Sequence, residues 1–170
     1  MKSKFLPAIP AEAVNKAVGS KNYQDLFDMI SEPLLEELYR RQTFEFLDEL
    51  SDGQALLVSY DYVQSHVMVG GFLQLIQNGY IALLPPMPEW LTKVGAEKMA
   101  KVLDDALKVY VLNYELLSKK TSVEEFAKLY NEMKEFEILD KQFMDLNDDT
   151  FMLILQYAVN NLSDFLTKIE

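Results

Sequence analysis

Residues 51–79, SDGQALLVSY DYVQSHVMVG GFLQLIQNG, decide the fold. Ser51-Asp52-Gly53-Gln54 reads as a helix cap, and the run after it places Ala55, Leu56, Val58, Ser59, Tyr62 and Val63 on nearly every side of a helix. A helix apolar all round belongs in the middle of a core. The spacing predicts that it stops at Gly70-Gly71 and that a shorter helix over 72–77 ends at Asn78-Gly79, a pair suited to left-handed C-terminal geometry.

Working outward, the period stays helical. From Met99, Val102, Leu103, Ala106, Val109, Tyr110, Asn113, Leu116 and Leu117 recur at the three-and-four spacing of one face of a long helix, with Lys101, Asp104, Asp105 and Lys108 opposite. Phe151, Ile154, Leu155, Ala158, Leu162, Phe165 and Leu166 predict a C-terminal helix, with Asn147 and Asp148 as its capping candidates. Leu26, Met29, Ile30, Leu34, Leu35 and Leu38 predict another, broken near Ser31 because Pro33 suits only a kink or a fresh start. Pro85, Pro86 and Pro88 form a stiff connector before Glu89-Trp90-Leu91, and Ser122 with Glu125 has the spacing of a capping box. No strand alternation, repeat or low-complexity run is visible. The expectation is about eight helices in one all-α domain covering 1–170.

Composition narrows the chemistry. The 170 residues are 49% hydrophobic and 25% charged, with no cysteine and one histidine. Thiol nucleophiles, disulfides, cysteine-type zinc sites and multi-histidine metal centres are therefore excluded. Lys2 and Lys4 precede an apolar stretch that Pro7 and Pro10 interrupt too early for a secretory leader. The most apolar window, 55–72, contains Asp61, Gln64 and His66, so no membrane span is expected and the cytoplasm is the expected compartment. A net charge of −11 is the wrong sign for direct binding of nucleic acid or anionic lipid.

Individual constellations read as structural. No Ser-rich elbow, Cys or HExxH spacing accompanies His66, which reads as a capping or half-buried structural histidine. Asp145, Asn147 and Asp149 start like a calcium loop, but Thr150 replaces the turn glycine and Gln156 the closing glutamate. Gly70-Gly71 lacks the third glycine and the lysine of a phosphate loop. Asp104-Asp105 and Glu124-Glu125, adjacent on helices, diverge around them. No metal or cofactor is expected, and no catalytic residue is assigned.

The charge map says more. Residues 1–50 carry a net of −3, residues 51–120 a net of −1 and residues 121–170 a net of −7. In that last third Glu132, Glu135, Glu137, Asp140, Asp145, Asp148 and Asp149 face only Lys134 and Lys141. As a helix, those 18 residues would extend roughly 27 Å and space seven acids about 4 Å apart, near the roughly 3.4 Å per phosphate of one DNA strand. A bend is expected before Asp145. A duplex-like surface would also need a second acidic ridge or a second copy of the chain, as in a homodimer.

Gly70-Gly71-Phe72-Leu73-Gln74-Leu75-Ile76-Gln77-Asn78-Gly79 resembles the signature of the DNA mimic protein 19-like family, also called domain of unknown function 4375: Asn-Gly-Gly-Phe, a Gln two residues on, then Asn. Leu50-Ser51-Asp52-Gly53-Gln54 before it, Val94-Gly95-Ala96-Glu97-Lys98 and Ala106 after it, and Leu139-Asp140-Lys141-Gln142-Phe143 resemble that family's flanking elements. The likeness covers about residues 45–165, leaving 1–44 as an N-terminal helical extension, and Val69 replaces the asparagine that usually precedes the glycine pair. The resemblance implies an all-α fold, no known catalysis and, in the namesake, an acidic surface that imitates DNA toward a DNA-binding protein. Three readings follow, in this order. The first is an acidic interaction protein whose partner-binding residues are the seven acids named above and whose partner is a basic protein surface, such as that of a helix-turn-helix regulator. The second is a small-ligand or peptide-binding domain with a pocket near Gln74, Asn78, Tyr80 and Trp90. The third is an enzyme using His66 or a carboxylate. Gly70, Gly71, Phe72, Gln74 and Asn78 are expected to hold the junction between the central helix and its successor.

Overall fold

A computed structural model of the chain describes residues 4–170, so Lys2 lies outside it. In chain order the elements are β1 (Ala8–Pro10), α1 (Ala11–Gly19), α2 (Tyr23–Arg41), α3 (Asp52–Gln77), α4 (Met87–Lys93), α5 (Glu97–Leu112), α6 (Tyr114–Leu117), α7 (Val123–Glu132), α8 (Lys134–Asn160) and β2 (Thr167–Ile169). Short 3-10 turns cover Phe44–Glu49, Tyr80–Leu83 and Leu162–Asp164. The fold is all-α but for two three-residue strands. The chain forms two compact units, one running up to Val58 and taking in Phe151–Glu170, the other Ser59–Thr150, and α3 and α8 contribute residues to both.

In the first unit, Ser51 and Gln54 form the reciprocal cap that their spacing suggests. The Ser51 Oγ accepts from the Gln54 amide at 3.2 Å, and the Gln54 Oε1 accepts from the Ser51 amide at 2.9 Å. The same buried glutamine donates through Nε2 to the carbonyls of Phe5 (3.0 Å) and Phe165 (2.9 Å), and the Ser51 hydroxyl donates to the Asp164 carbonyl at 2.8 Å. One cap thus ties both ends of the chain to the start of α3. Gly53 is there for space: a Cβ would stand 2.6 Å from Phe165 Cζ. Ile9, Val14 and Leu166 pack together with Met29 and Leu162 beside them, and Phe27 meets Phe151 at 5.2 Å.

In the second unit the core is aromatic. Phe72 lies edge-on to Phe143 at 5.8 Å and 6.2 Å from Phe136, and Tyr60 stacks on Phe143 at 6.0 Å. Burial pushes the Tyr60 phenol above its ordinary range, and the group stays neutral, donating to Asn147 Oδ1 at 2.9 Å. In the same unit α5 buries Met99, Ala100, Val102, Leu103 and Ala106. The Ser122–Glu125 capping box starts α7 as its spacing predicts.

Four expectations are corrected. β1 and β2 pair in parallel, Ala8 opposite Thr167, where no strand was expected; three residues are too few for alternation to show, and the partners lie at opposite ends of the chain. α2 runs unbroken through Pro33, because Ile30, Ser31, Leu34 and Leu38 continue one buried face across it. α8 does not start at Asn147: the break expected before Asp145 falls at Met133, between α7 and α8, while residues 134–160 contain no Gly or Pro and Asn147 is buried in mid-helix by its bond to Tyr60. The helix also ends at Asn160, so Leu162, Phe165 and Leu166 reach the core from a 3-10 turn and the residues that follow it.

Gln54→Ala removes three hydrogen bonds and leaves the Phe165 carbonyl unpaired in the interior. Urea unfolding should show a loss of about 2–3 kcal/mol, whereas the exposed Gln156→Ala should stay within about 0.5 kcal/mol of the parent.

Candidate functional site

The glycine pair breaks α3 as read: Gly70 has φ −135°, ψ 15° and Gly71 φ 72°, ψ −175°, a conformation essentially closed to other residues. The break frees the backbone N–H of Phe72 at the head of the 72–77 segment, and the Asp140 carboxylate of α8 accepts it at 2.8 Å through Oδ1. Asp140 lies so close that a Cβ on Gly71 would overlap its carboxyl group, while a Cβ on Gly70 would overlap the Gln74 side chain. One turn further along α8, Phe143 meets Phe72. The Gly-Gly-Phe and Leu-Asp-x-x-Phe elements are therefore two halves of one contact.

This corrects the expected exposure of Asp140, which is buried. Burial raises its pKa, with a smaller push from Glu137, against the lowering by the Phe72 amide. The other six acids are exposed: Glu132 on α7, and Glu135, Glu137, Asp145, Asp148 and Asp149 on α8. On α8 they fall into two stripes at three- and four-residue spacing. Glu135, Ile138, Gln142, Asp145 and Asp149 form one, free of lysine; Glu137, Lys141, Met144 and Asp148 form the other, with Lys134 beside it bonding Glu137 at 3.1 Å. The first stripe extends roughly 21 Å. Lys98 and Lys101 of α5 share a hollow with Gln142 and Asp145, so the Asp145 stretch has cations at its flank.

The second reading's four residues separate. Gln74 and Asn78 line one groove of about 390 Å³ with Gln77, Lys120, Thr121 and Phe126. Tyr80 instead lies 4.6 Å from the His66 ring and 5.5 Å from Tyr62, and Trp90 stands on α4, partly exposed. The third reading's histidine is held through Nδ1 by the Tyr62 carbonyl at 2.7 Å. Asp104 and Asp105 are ion-paired with Lys108 and Lys101. The α7 side of the groove was not singled out in the sequence, although Ser118-Lys119-Lys120-Thr121-Ser122 is a polar, basic run in an acidic chain.

The protein is thus of an all-α class organised around a glycine-broken central helix that a buried aspartate recaps. The chain belongs to the DMP19-like protein family, whose model matches residues 48–161. It is 27% identical over 124 residues, 71% of this chain and 75% of the relative, to DNA mimic protein DMP19 of Neisseria meningitidis serogroup B (strain ATCC BAA-335 / MC58). The family match includes the Ser51–Gln54 cap, the glycine pair and Asp140, and leaves out the first 47 residues.

Gly71→Ala should destabilise by about 2 kcal/mol or more, because it combines a forbidden backbone conformation with overlap on Asp140. Gly79→Ala, at φ 84° in open space, should cost only about 1–2 kcal/mol. Asp140→Ala should cost about 1–2 kcal/mol as a lost cap, and Asp140→Asn less, since its amide oxygen can still accept from Phe72. Because the folded pKa of Asp140 is raised, the native state holds its proton to higher pH than the unfolded chain does. That contribution to stability is fully present below the ordinary carboxyl pKa and is lost as pH rises through the raised one; denaturant titrations across that window should show the loss in the parent and not in Asp140→Asn.

Proposed function

We propose that this chain is a non-enzymatic, acidic interaction protein that occupies the basic surface of a DNA-binding protein, of the helix-turn-helix regulator kind, in place of DNA. The observation that carries the reading is the lysine-free stripe on α8: Glu135, Asp145 and Asp149 exposed on one line of an unbroken helix, with Lys141 in the neighbouring stripe and Lys134 beside that stripe. A surface built for phosphates meets carboxylates there at spacings fixed by the helix. The family membership and the likeness to a protein named for DNA mimicry support it independently. Asp148, Glu137 and Glu132 widen the negative field, and Asp140, buried, holds α8 against the rest of its unit instead of meeting the partner. One stripe imitates one strand; a second copy of the chain would supply the other. The proposed compartment is the cytoplasm, where such regulators act. Among the described residues no helix is long and apolar enough to cross a membrane.

Charge attraction of this kind speeds association and weakens as salt shortens the screening length to roughly 8 Å at physiological strength. With a captured DNA-binding protein as probe, duplex DNA should displace it from this chain. Reversing Glu135, Asp145 and Asp149 to Lys should slow association at least ten-fold at low salt with the helical far-UV spectrum unchanged. Equal binding at high and low salt, or simultaneous binding of DNA and this chain by the same protein, would sink the reading.

A further inference from the structure

Two polar residues of the signature keep unused hydrogen-bonding capacity. Gly70 and Gly71 make the break and Phe72 fills the core; the Gln74 side chain packs against Gly70, and among the described residues neither it nor the Asn78 side chain has a hydrogen-bond partner. Four residues apart, they share one helical face, and both line the groove between the 72–77 segment and the start of α7. Three further observations describe what would fit. Gln77 accepts from the Thr121 hydroxyl at 2.8 Å while its amide nitrogen is left unpartnered. Among the described residues Lys120 is the one charged residue lining the groove, and neither it nor Lys119 makes an ion pair, whereas Lys101, Lys108, Lys128 and Lys134 all do. Val123, 87% exposed, and Phe126 give the groove an apolar side.

We propose that this groove binds the C-terminal end of a peptide chain. A primary amide is donor and acceptor at once, the complement of a main-chain peptide group, so Gln74 and Asn78 suit successive peptide units. An unpaired ammonium suits the terminal carboxylate, with a charge-assisted bond stronger than a neutral one. Val123 and Phe126 suit an apolar last side chain. A simple inorganic anion would leave both amides and the apolar side unused, and an internal peptide segment would leave the Lys120 ammonium unused; a chain terminus uses all three. The groove is separate from the α8 acids in residues and opposite in charge, so this proposal does not rest on DNA mimicry.

The probes are two pools of acetylated tetrapeptides ending in leucine or valine, one with a free terminal carboxylate and one with a terminal amide, titrated into the isotope-labelled full chain. The free-acid pool should shift the side-chain NH2 signals of Gln74 and Asn78, and the amidated pool should bind at least ten-fold more weakly. The double variant Lys119→Gln, Lys120→Gln should bring the acid down to the affinity of the amide, Asn78→Ala should weaken both, and the triple Lys reversal on α8 should change neither. Shifts from neither pool, equal shifts from both, or shifts confined to other residues would overturn the assignment.

Discussion

The contact between the Asp140 carboxylate and the Phe72 amide is the constraint on which the second unit depends. A helix broken in a buried place exposes donors that its own backbone no longer satisfies, and a buried unpaired amide costs about 1–3 kcal/mol. The break can exist only because a side chain from elsewhere accepts the freed N–H. That in turn fixes where α8 lies within the unit, since Asp140 can reach Phe72 only while Phe136 and Phe143, each within one turn of it, pack on the Phe72 ring. Residue 71 must be glycine twice over, once for its backbone angles and once for the carboxyl group lying where a Cβ would be. A short-range polar bond and an aromatic cluster therefore specify each other.

How much of this was legible beforehand depends on the range of the interaction. The glycine break, the Ser51–Gln54 and Ser122–Glu125 caps and the period of α5 were readable because each is settled within a few residues of itself. Pro33 misled, because its local cost is outweighed by a buried face that continues on both sides of it. Asn147 and Asp148 look like caps when read alone; what places Asn147 inside a helix is the Tyr60 hydroxyl, 87 residues away in the chain. Asp140 was counted among surface acids for the same reason. Its partner is an amide that becomes available only through the geometry of Gly70 and Gly71, and no charge count can register that. At the groove, Gln74 and Asn78 stood out through the signature, while Lys120, Thr121 and Phe126 did not, since only folding brings α7 beside the 72–77 segment.

The electrostatics separate into two ranges. Beyond a screening length even the net of −11 is largely screened from a partner. Within it, the arrangement on α8 matters: Lys134 pairs with Glu137 and Lys141 lies in the stripe that holds Glu137 and Asp148, while the Glu135–Asp145–Asp149 line carries no lysine of α8 itself and meets Lys98 and Lys101 of α5 only at the flank of Asp145. Lys101 and Lys108 are likewise occupied by Asp105 and Asp104 on their own helix. Lys119 and Lys120 are the contrast, two cations in a negative chain that make no ion pair among the described residues, although they share a hollow with Glu125 and Glu132.

Holding like charges in line has a cost that the helix must absorb. Asp145 and Asp149, one turn apart, repel by a few tenths of a kcal/mol, and a flexible segment would relieve that by spreading them. α8 cannot spread, because the opposite face of the same turns buries Phe136, Leu139, Phe143 and Thr150 and places Asp140 and Asn147 in specific bonds. Burying even one of those aromatic rings is worth roughly 1.5–3 kcal/mol, several times the repulsion it opposes. The recap at Phe72 and the proposed binding surface are thus one device seen from two sides: the buried half of α8 supplies the rigidity that keeps its exposed carboxylates at intervals set by the helix.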